Sequence, residues 1–426
     1  MINDDLLNSK SFCIMPWIHL STEPSGNVKI CCLANKTLKK DEHHSYNLGY
    51  DKVDEIYNTS QIRNNRHDMM AGIKIPDCSH CWKEEDAGGI SQRITYTKDW
   101  LTKKPELGNI IQESANNEYR VSYTPIYYDF RFGNLCNLKC RSCGSLNSTQ
   151  INKEYTILKQ KYPLFNEAGP QYDTLNEWYR TDTFKENIYT DLNKIEKLYI
   201  TGGEPTLIDE NYELLNSLVN IDRAKDVSIM FNTNMTNIRD DFYTLISKFK
   251  HAEIAISIEG YGEIQEYLRY PSKWDHIDKN VRRIANLPQN ISIFAVPVVQ
   301  SVNLEYITDL FAYFDQINKE CGYYRIKILP IMLDFPKYLK LSILPLDYKK
   351  QCWNKIEEFV SRTPWLDADP FFKGRFNNIK HNCLIDNYDP NLLKYFKTFT
   401  DILDNHRGQK LQDVNPSLYK IIQNVK

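Results

Sequence analysis

No run of apolar residues in this chain approaches the length of a membrane span; the longest, near Ile293–Val299, suits a buried strand. The opening MINDDLLNSKSF has no basic stretch followed by an apolar one, so no secretory signal is visible. An excess of one charge is also lacking: Lys and Arg number 53, Asp and Glu 55, and the formal net charge is -2. Such a balance gives no pointer to nucleic acid or an anionic membrane as a partner. There is no repeat, which excludes a solenoid, and no low-complexity tract. With 42% hydrophobic and 25% charged residues over 426 positions, the chain suits two or three globular domains, or one large barrel with appendages.

Cysteine is not scarce. Eleven cysteines without a visible leader point to a reducing, cytoplasmic setting, where clustered thiols bind metal or do redox chemistry more often than they form disulfides. Five lie in the first region, residues 1–115, among short strands and turns such as PSGN. Residues 120–335 alternate apolar strands with helical stretches, and residues 336–426 read as mostly helical, with no motif. The expected strands of the middle region are 126–132, 197–201, 227–232, 253–258, 291–299 and 325–331, with helices at 209–219, 240–248 and from about 274. Six such units make a partial (β/α) barrel or a doubly wound sheet, and either places chemistry at the C-terminal strand ends.

The first strand runs into FGNLCNLKCRSC, with Cys136, Cys140 and Cys143 spaced C-x3-C-x2-C. Three thiolates in one loop can hold three irons of an iron–sulfur cube and leave the fourth iron open. A structural zinc would want a fourth protein ligand, and no cysteine or histidine follows closely. The plain alternative is three buried free thiols, for which a loop of Asn, Lys, Arg, Ser and Gly is a poor setting.

The second strand ends in TGGEP, Thr201–Pro205. Gly202 and Gly203 allow close backbone approach to a ligand, and Glu204, followed by Pro205, can accept hydrogen bonds from a cationic amine. Alone, the stretch is equally a turn before a helix. The third strand ends in FNTNM (Asn232, Asn234), the fourth in ISIEG (Ser257, Glu259), and YLRY supplies Arg269, whose guanidinium suits a carboxylate. Singly, each is also an ordinary turn or surface residue.

Together these stretches resemble the radical S-adenosylmethionine (radical SAM) enzymes. The resemblance implies a partial (β/α)6 TIM-type barrel in which Cys136, Cys140 and Cys143 hold a [4Fe-4S] cluster and SAM chelates the open iron. It also implies that Gly202, Gly203, Glu204 and Pro205 hold the SAM amine, and that Asn232, Ser257 and Arg269 serve its ribose and carboxylate. The residue before the third cysteine is usually aromatic in that family, but here it is Ser142.

In the first region, Cys13 and Gly26 have twelve residues between them, Gly26 and Cys31 four, and CSHC follows with Cys78 and Cys81. This resembles the SPASM and twitch auxiliary-cluster modules, and implies a small α+β module holding a second [4Fe-4S] cluster. The later cysteines of a full SPASM module are missing, so a single, twitch-like cluster is expected; such modules usually follow the barrel rather than precede it. Zinc is the rival metal, with His19 or His80 able to add nitrogen ligands. Cys32, adjacent to Cys31, is not expected to share the metal, and Cys321, Cys352 and Cys383 read as buried free thiols.

The resemblance implies reductive cleavage of SAM and hydrogen abstraction from a substrate, with no acid–base side chain needed for that step. It also implies a reductant such as flavodoxin or ferredoxin. The expected substrate is a peptide or protein; a sugar or nucleotide is the alternative, and a non-catalytic, metal-stabilised binding protein is the alternative from another class. The insertion 163–184, with Trp178, is a lid or substrate contact, or a surface excursion.

Overall fold

The computed structural model describes residues 2–86, 88–166 and 177–424. Its described residues fall into two compact units: the first comprises 1–134, 174–230 and 248–250, the second 135–173, 231–247 and 251–426. Among the described residues, no helix is long and apolar enough to cross a membrane.

In the first unit, β1 (His19–Thr22) and β2 (Val28–Lys29) pair antiparallel, with Ser21 opposite Lys29. The PSGN turn between them needs its glycine: Gly26 has φ +86°, and a Cβ there would lie 2.5 Å from the Trp178 ring. Alongside β1 runs β3 (Tyr127–Arg131), parallel, and beside β3 runs β4 (Lys197–Thr201), also parallel, with Asp129 opposite Tyr199. Side chains alternate across a strand. Tyr128, Phe130 and Phe132 therefore stack in one row at 5.2 and 5.3 Å, and Phe184 and Trp178 close over it. Each fully buried aromatic contributes about 1.5–3 kcal/mol. Tyr127, Asp129 and Arg131 occupy the opposite face.

Trp178 is fully buried and donates its indole N–H to the Pro24 carbonyl at 3.0 Å. It fastens the C-terminal end of the 163–184 insertion to the β1–β2 turn. Residues 167–176 of that insertion lie outside the described residues. The helix Asp209–Asn220 starts with Asp209 and Glu210, which suit a helix N-terminus, and buries Asn211, Leu214, Leu215 and Leu218 along one stripe.

The chain passes from the first unit to the second within β5 (Ser228–Thr233). In the second unit, β6 (His251–Ile256), β7 (Ile291–Ala295) and β9 (Ile326–Ile328) are parallel in that order. The helices between them bury regular stripes: Ile277, Val281 and Ile284 in Trp274–Ala285, and Leu310, Phe314 and Ile317 in Ile307–Cys321. The latter stops at Gly322, whose φ of +77° suits the left-handed cap. Two expected strands are each broken in two. Pro297 ends β7, Pro330 follows β9, and the short β8 (Val298–Val299) pairs instead with β10 (Ile331–Met332). Proline has no N–H for the ladder, so it interrupts a strand wherever that N–H would be paired.

The last region is helical, as expected. Pro370–Cys383, Pro390–Arg407 and Pro416–Gln423 each begin with proline, and Asp369, Asp389 and Asn415 before them accept backbone N–H groups. A proline in the first turn wastes no hydrogen bond, and the preceding side chain satisfies an orphan donor. The architecture is an α/β fold with a mostly parallel sheet, a cysteine-rich N-terminal module and a helical C-terminus.

Candidate metal centres and cofactor residues

The three-cysteine loop belongs to the second unit. It has no regular structure, so its backbone groups find partners elsewhere. Lys139 N–H donates to the Tyr270 carbonyl at 2.6 Å, and Arg141 N–H to the Leu268 carbonyl at 2.8 Å. Ser148 Oγ donates to the Leu138 carbonyl at 2.7 Å, and Leu138 N–H points at Cys136 Sγ at 3.4 Å. Cys136 and Cys140 are buried, Cys143 half-buried, and all three pack about Leu138.

Burial raises the Cys140 thiol pKa, against the pull of Arg269. The Cys143 thiol is pushed up to about 12, first by burial and then by Cys140. Buried thiolates that repel one another need a cation to ionise together, and a cluster of iron supplies it. The donor set thus fits a three-thiolate cluster.

Arg269 is at this site. Its Nη1 donates to Cys140 Sγ at 3.7 Å, and its Nη2 to Glu259 Oε1 at 2.6 Å. Glu259 is itself held: its Oε2 accepts the Val298 N–H at 2.6 Å, and its N–H donates to Gln265 Oε1 at 2.8 Å. Asn234 reaches the loop as well. Its Nδ2 donates to Asn137 Oδ1 at 3.0 Å, while Asn137 Nδ2 donates to Thr236 Oγ1 at 2.8 Å. Nothing in the sequence marked Asn137, because a single Asn between two cysteines carries no spacing signal. Asn232 on β5 and Ser257 after β6 are half-buried, and Ser257 N–H donates to the Thr233 carbonyl at 2.8 Å.

The TGGEP stretch belongs to the first unit. Gly202 has φ +93°, and a Cβ on it would lie 3.0 Å from Arg131 Cβ and 3.2 Å from the Gly133 carbonyl. Only glycine fits such a place. Gly203 follows it, and the buried Glu204 caps the short 3-10 turn Pro205–Leu207, its Oε1 accepting from Thr206 Oγ1 at 2.7 Å. Asn211 Nδ2 braces the turn by donating to the Pro205 carbonyl at 2.9 Å.

The same unit brings Cys13, Cys31, Cys78 and Cys81 to the wall of one small cavity, with Met15, Ile30, Met69 and Tyr96 also lining it. Burial raises the Cys13 pKa, and the neighbouring Cys78 and Cys81 raise it further. Cys78 is pushed up to about 12, by burial first and then by Cys81. The Met15 N–H offsets part of the rise at Cys13, and the Arg93 N–H part of the rise at Cys81. N–H···S contacts of this kind tune iron–sulfur centres. Four thiols around one largely apolar cavity fit a fully ligated cluster. Among the described residues, no three His, Cys, Asp or Glu side chains converge as for a single metal ion. The fit rests instead on the shared cavity and the thiol chemistry.

His80 is exposed, and His19 turns its Nδ1 to the Ile30 carbonyl at 3.3 Å and its ring onto Tyr127. Neither histidine lines the cavity, nor does Cys32. Cys352 and Cys383 are buried and Cys321 half-buried.

Residues 130–314 match the radical SAM superfamily, and residues 13–82 match SPASM, an iron–sulfur cluster-binding domain. The chain thus carries a radical SAM domain preceded by a SPASM domain. The SPASM match starts at Cys13 and ends one residue after Cys81, so it brackets the four cavity cysteines. Similar solved structures include anSMEcpe with bound AdoMet, at 16% identity and TM-score 0.38, over 55% of this chain and 59% of that one. Streptococcus suis SuiB bound to S-adenosylmethionine is similar at 15% identity and TM-score 0.38, over 63% of this chain and 60% of that one. The chain spans about three fifths of the length of these structures. No curated protein matches it.

Proposed function

We propose that this protein is a radical SAM enzyme that abstracts a hydrogen atom from a peptide or protein. The observation that carries the reading is the SPASM match, whose four cysteines line one cavity, in the same chain as a radical SAM match with its three-cysteine loop. When bound, the cluster and SAM supply the difficult chemistry: one electron, from a donor such as flavodoxin or ferredoxin, splits SAM into methionine and a 5′-deoxyadenosyl radical that removes hydrogen from an unactivated carbon.

The chain's own residues bind and orient. Cys136, Cys140 and Cys143 would hold the cluster and leave one coordination position for SAM. The backbone at Gly202 and Gly203, with Glu204, would take the methionyl amine. Asn232 and Ser257 would face the ribose. Arg269 would take the SAM carboxylate by sharing a guanidinium that already holds Glu259. Cys13, Cys31, Cys78 and Cys81 would close an auxiliary [4Fe-4S] cluster, which either accepts an electron from the substrate or keeps its domain folded.

The test is anaerobic. The protein is reconstituted with iron and sulfide, reduced, given SAM, and 5′-deoxyadenosine is quantified beside a Cys136/Cys140/Cys143 triple-alanine control. Nucleoside from the parent alone is expected. Deuterium transfer into 5′-deoxyadenosine from deuterated peptides supports the substrate class. Transfer only from deuterated sugars or nucleotides replaces it, and failure to bind SAM at all leaves the metal-stabilised binding protein.

A further inference from the structure

The sequence offered no motif in the C-terminal extension, yet the helix Pro390–Arg407 is tied to the cluster loop at two points within the second unit. The first tie is Asp404. Arg141, one residue after Cys140, is 3% exposed and forms an ion pair with Asp404. Arg141 also lies over the Tyr267 ring, 3.8 Å from its centre, and Tyr267 donates its hydroxyl to Asp404 Oδ1 at 3.0 Å. Asp404 Oδ2 accepts the Leu411 N–H at 2.7 Å, so the carboxylate is fully engaged.

The second tie lies one turn further along, at Arg407. Its Nε and Nη2 hold the two oxygens of Glu154 at 3.0 and 2.6 Å, and the two side chains are 1% and 0% exposed. Glu154 sits on the helix Thr149–Leu158 that follows the loop, and Lys139 and His406 approach it at 3.5 and 3.8 Å. Between the ties, Cys143 packs against the cluster of Ile151, Phe399 and Leu403.

Two buried ion pairs are a costly way to make a helix contact, because each ion must leave water. Their placement gives them a use. Each pair is neutral as a whole, but it fixes two opposite charges beside the thiolate loop in a medium of low dielectric constant, where removing one of them changes the net charge that sets the reduction potential of an iron–sulfur centre. We propose that Asp404 and Arg407 are positioning residues for the three-cysteine cluster, holding its loop and setting its reduction potential through the Arg141 and Glu154 pairs. The proposal rests on the reading that this loop holds the SAM-binding cluster.

The two residues carry opposite charges, so the experiment has a sign. Full-length parent, Asp404→Asn, Arg407→Met and Arg407→Lys are reconstituted, and the cluster whose EPR signal changes on adding SAM is titrated for its midpoint potential. Arg407→Met leaves the Glu154 anion without its main partner, so reduction becomes harder. At a fixed solution potential the reduced-to-oxidised ratio is expected to fall about tenfold, which is about 59 mV for a one-electron couple. Asp404→Asn leaves Arg141 uncompensated and is expected to raise the same ratio. Arg407→Lys keeps the charge and is expected to stay near the parent.

A merely structural helix would shift both charge-changing variants in the same direction or in neither. Either result, with iron content and melting temperature retained, overturns the proposal. If Arg407→Met does not fold, the near-isosteric Asp404→Asn decides alone: an unchanged or lowered ratio overturns it. If the parent itself shows no SAM-responsive cluster, the failure belongs to the assignment of the loop, which the triple-alanine control identifies separately.

Discussion

Arg269 bridges Cys140 and Glu259: one terminal nitrogen faces the sulfur at 3.7 Å and the other the carboxylate at 2.6 Å. The guanidinium is 14% exposed and Glu259 1% exposed, so the pair is desolvated. Removing one partner of such a pair leaves a buried charge and costs about 3–5 kcal/mol. Arg269→Met is therefore expected to lose that much stability in urea unfolding, and Glu259→Gln/Arg269→Met to recover a large part of it. Equal losses in the single and double variants would mean the pair is not the source.

The glycine at the tip of the PSGN turn is expected to be intolerant of any side chain. Gly26→Ala places a Cβ 2.5 Å from the Trp178 ring at a φ of +86°. Overpacking and the left-handed backbone together cost about 2–5 kcal/mol. Thermal melts of Gly26→Ala, alone and with Trp178→Leu, check this: the second change should restore part of the loss, because the ring is half of the conflict.

Gly202→Val is expected to impair SAM binding without removing iron. The new side chain would press on Arg131 Cβ and the Gly133 carbonyl and force the loop to shift. Equilibrium binding of SAM should weaken by tenfold or more, about 1.4 kcal/mol, while iron per chain stays at the parent value. Unchanged affinity would reduce TGGEP to a plain turn.

The two cysteine sets are expected to load independently. Cys78→Ala should lose roughly half of the iron, one of two four-iron clusters, and keep the SAM-responsive EPR signal. Cys136→Ala should lose that signal and all SAM cleavage. Equal iron in parent and Cys78→Ala would argue against an auxiliary cluster.

His19 gives the metal-free chain an acid sensitivity. Burial, the largest cause, lowers its pKa from 6.5 to about 3. The unfolded chain takes up a proton below pH 6.5 that the folded chain refuses until about pH 3. Stability is thus present above pH 6.5 and is lost as pH falls towards 3. The loss amounts to several kcal/mol, because each tenfold difference in proton affinity between the two states is about 1.4 kcal/mol. His19→Gln should flatten the urea midpoint between pH 6.5 and about 4, and a slope equal to the parent's would remove His19 as the cause.

Local pattern was enough for much of this protein. Strand Lys197–Thr201 falls where β-rich composition put it, and the helices Asp209–Asn220 and Trp274–Ala285 start at the expected residues. The spacing of Cys136, Cys140 and Cys143 was legible because a loop proposed to hold a cluster must place its ligands within a few residues of one another. Gly26 and Gly202 were legible because a backbone need of that kind admits one residue type. Pro297 and Pro330 were visible too, but breaking a strand depends on whether its N–H is needed, and only the ladder decides that.

Tertiary structure alone decided the rest. The grouping of Cys13, Cys31, Cys78 and Cys81 without Cys32 was expected from the resemblance, but the walls that Met15, Ile30 and Tyr96 give the cavity they share come only from packing. That Arg269 holds Glu259, and that Arg141 and Glu154 meet Asp404 and Arg407 from 253 or more positions away, left no trace in local pattern. Charged residues at such separations look like any solvated surface residue until the chain folds and burial makes their pairing obligatory. Short-range chemistry is written in spacing, whereas the environment that tunes it is made by contacts between segments the sequence keeps apart.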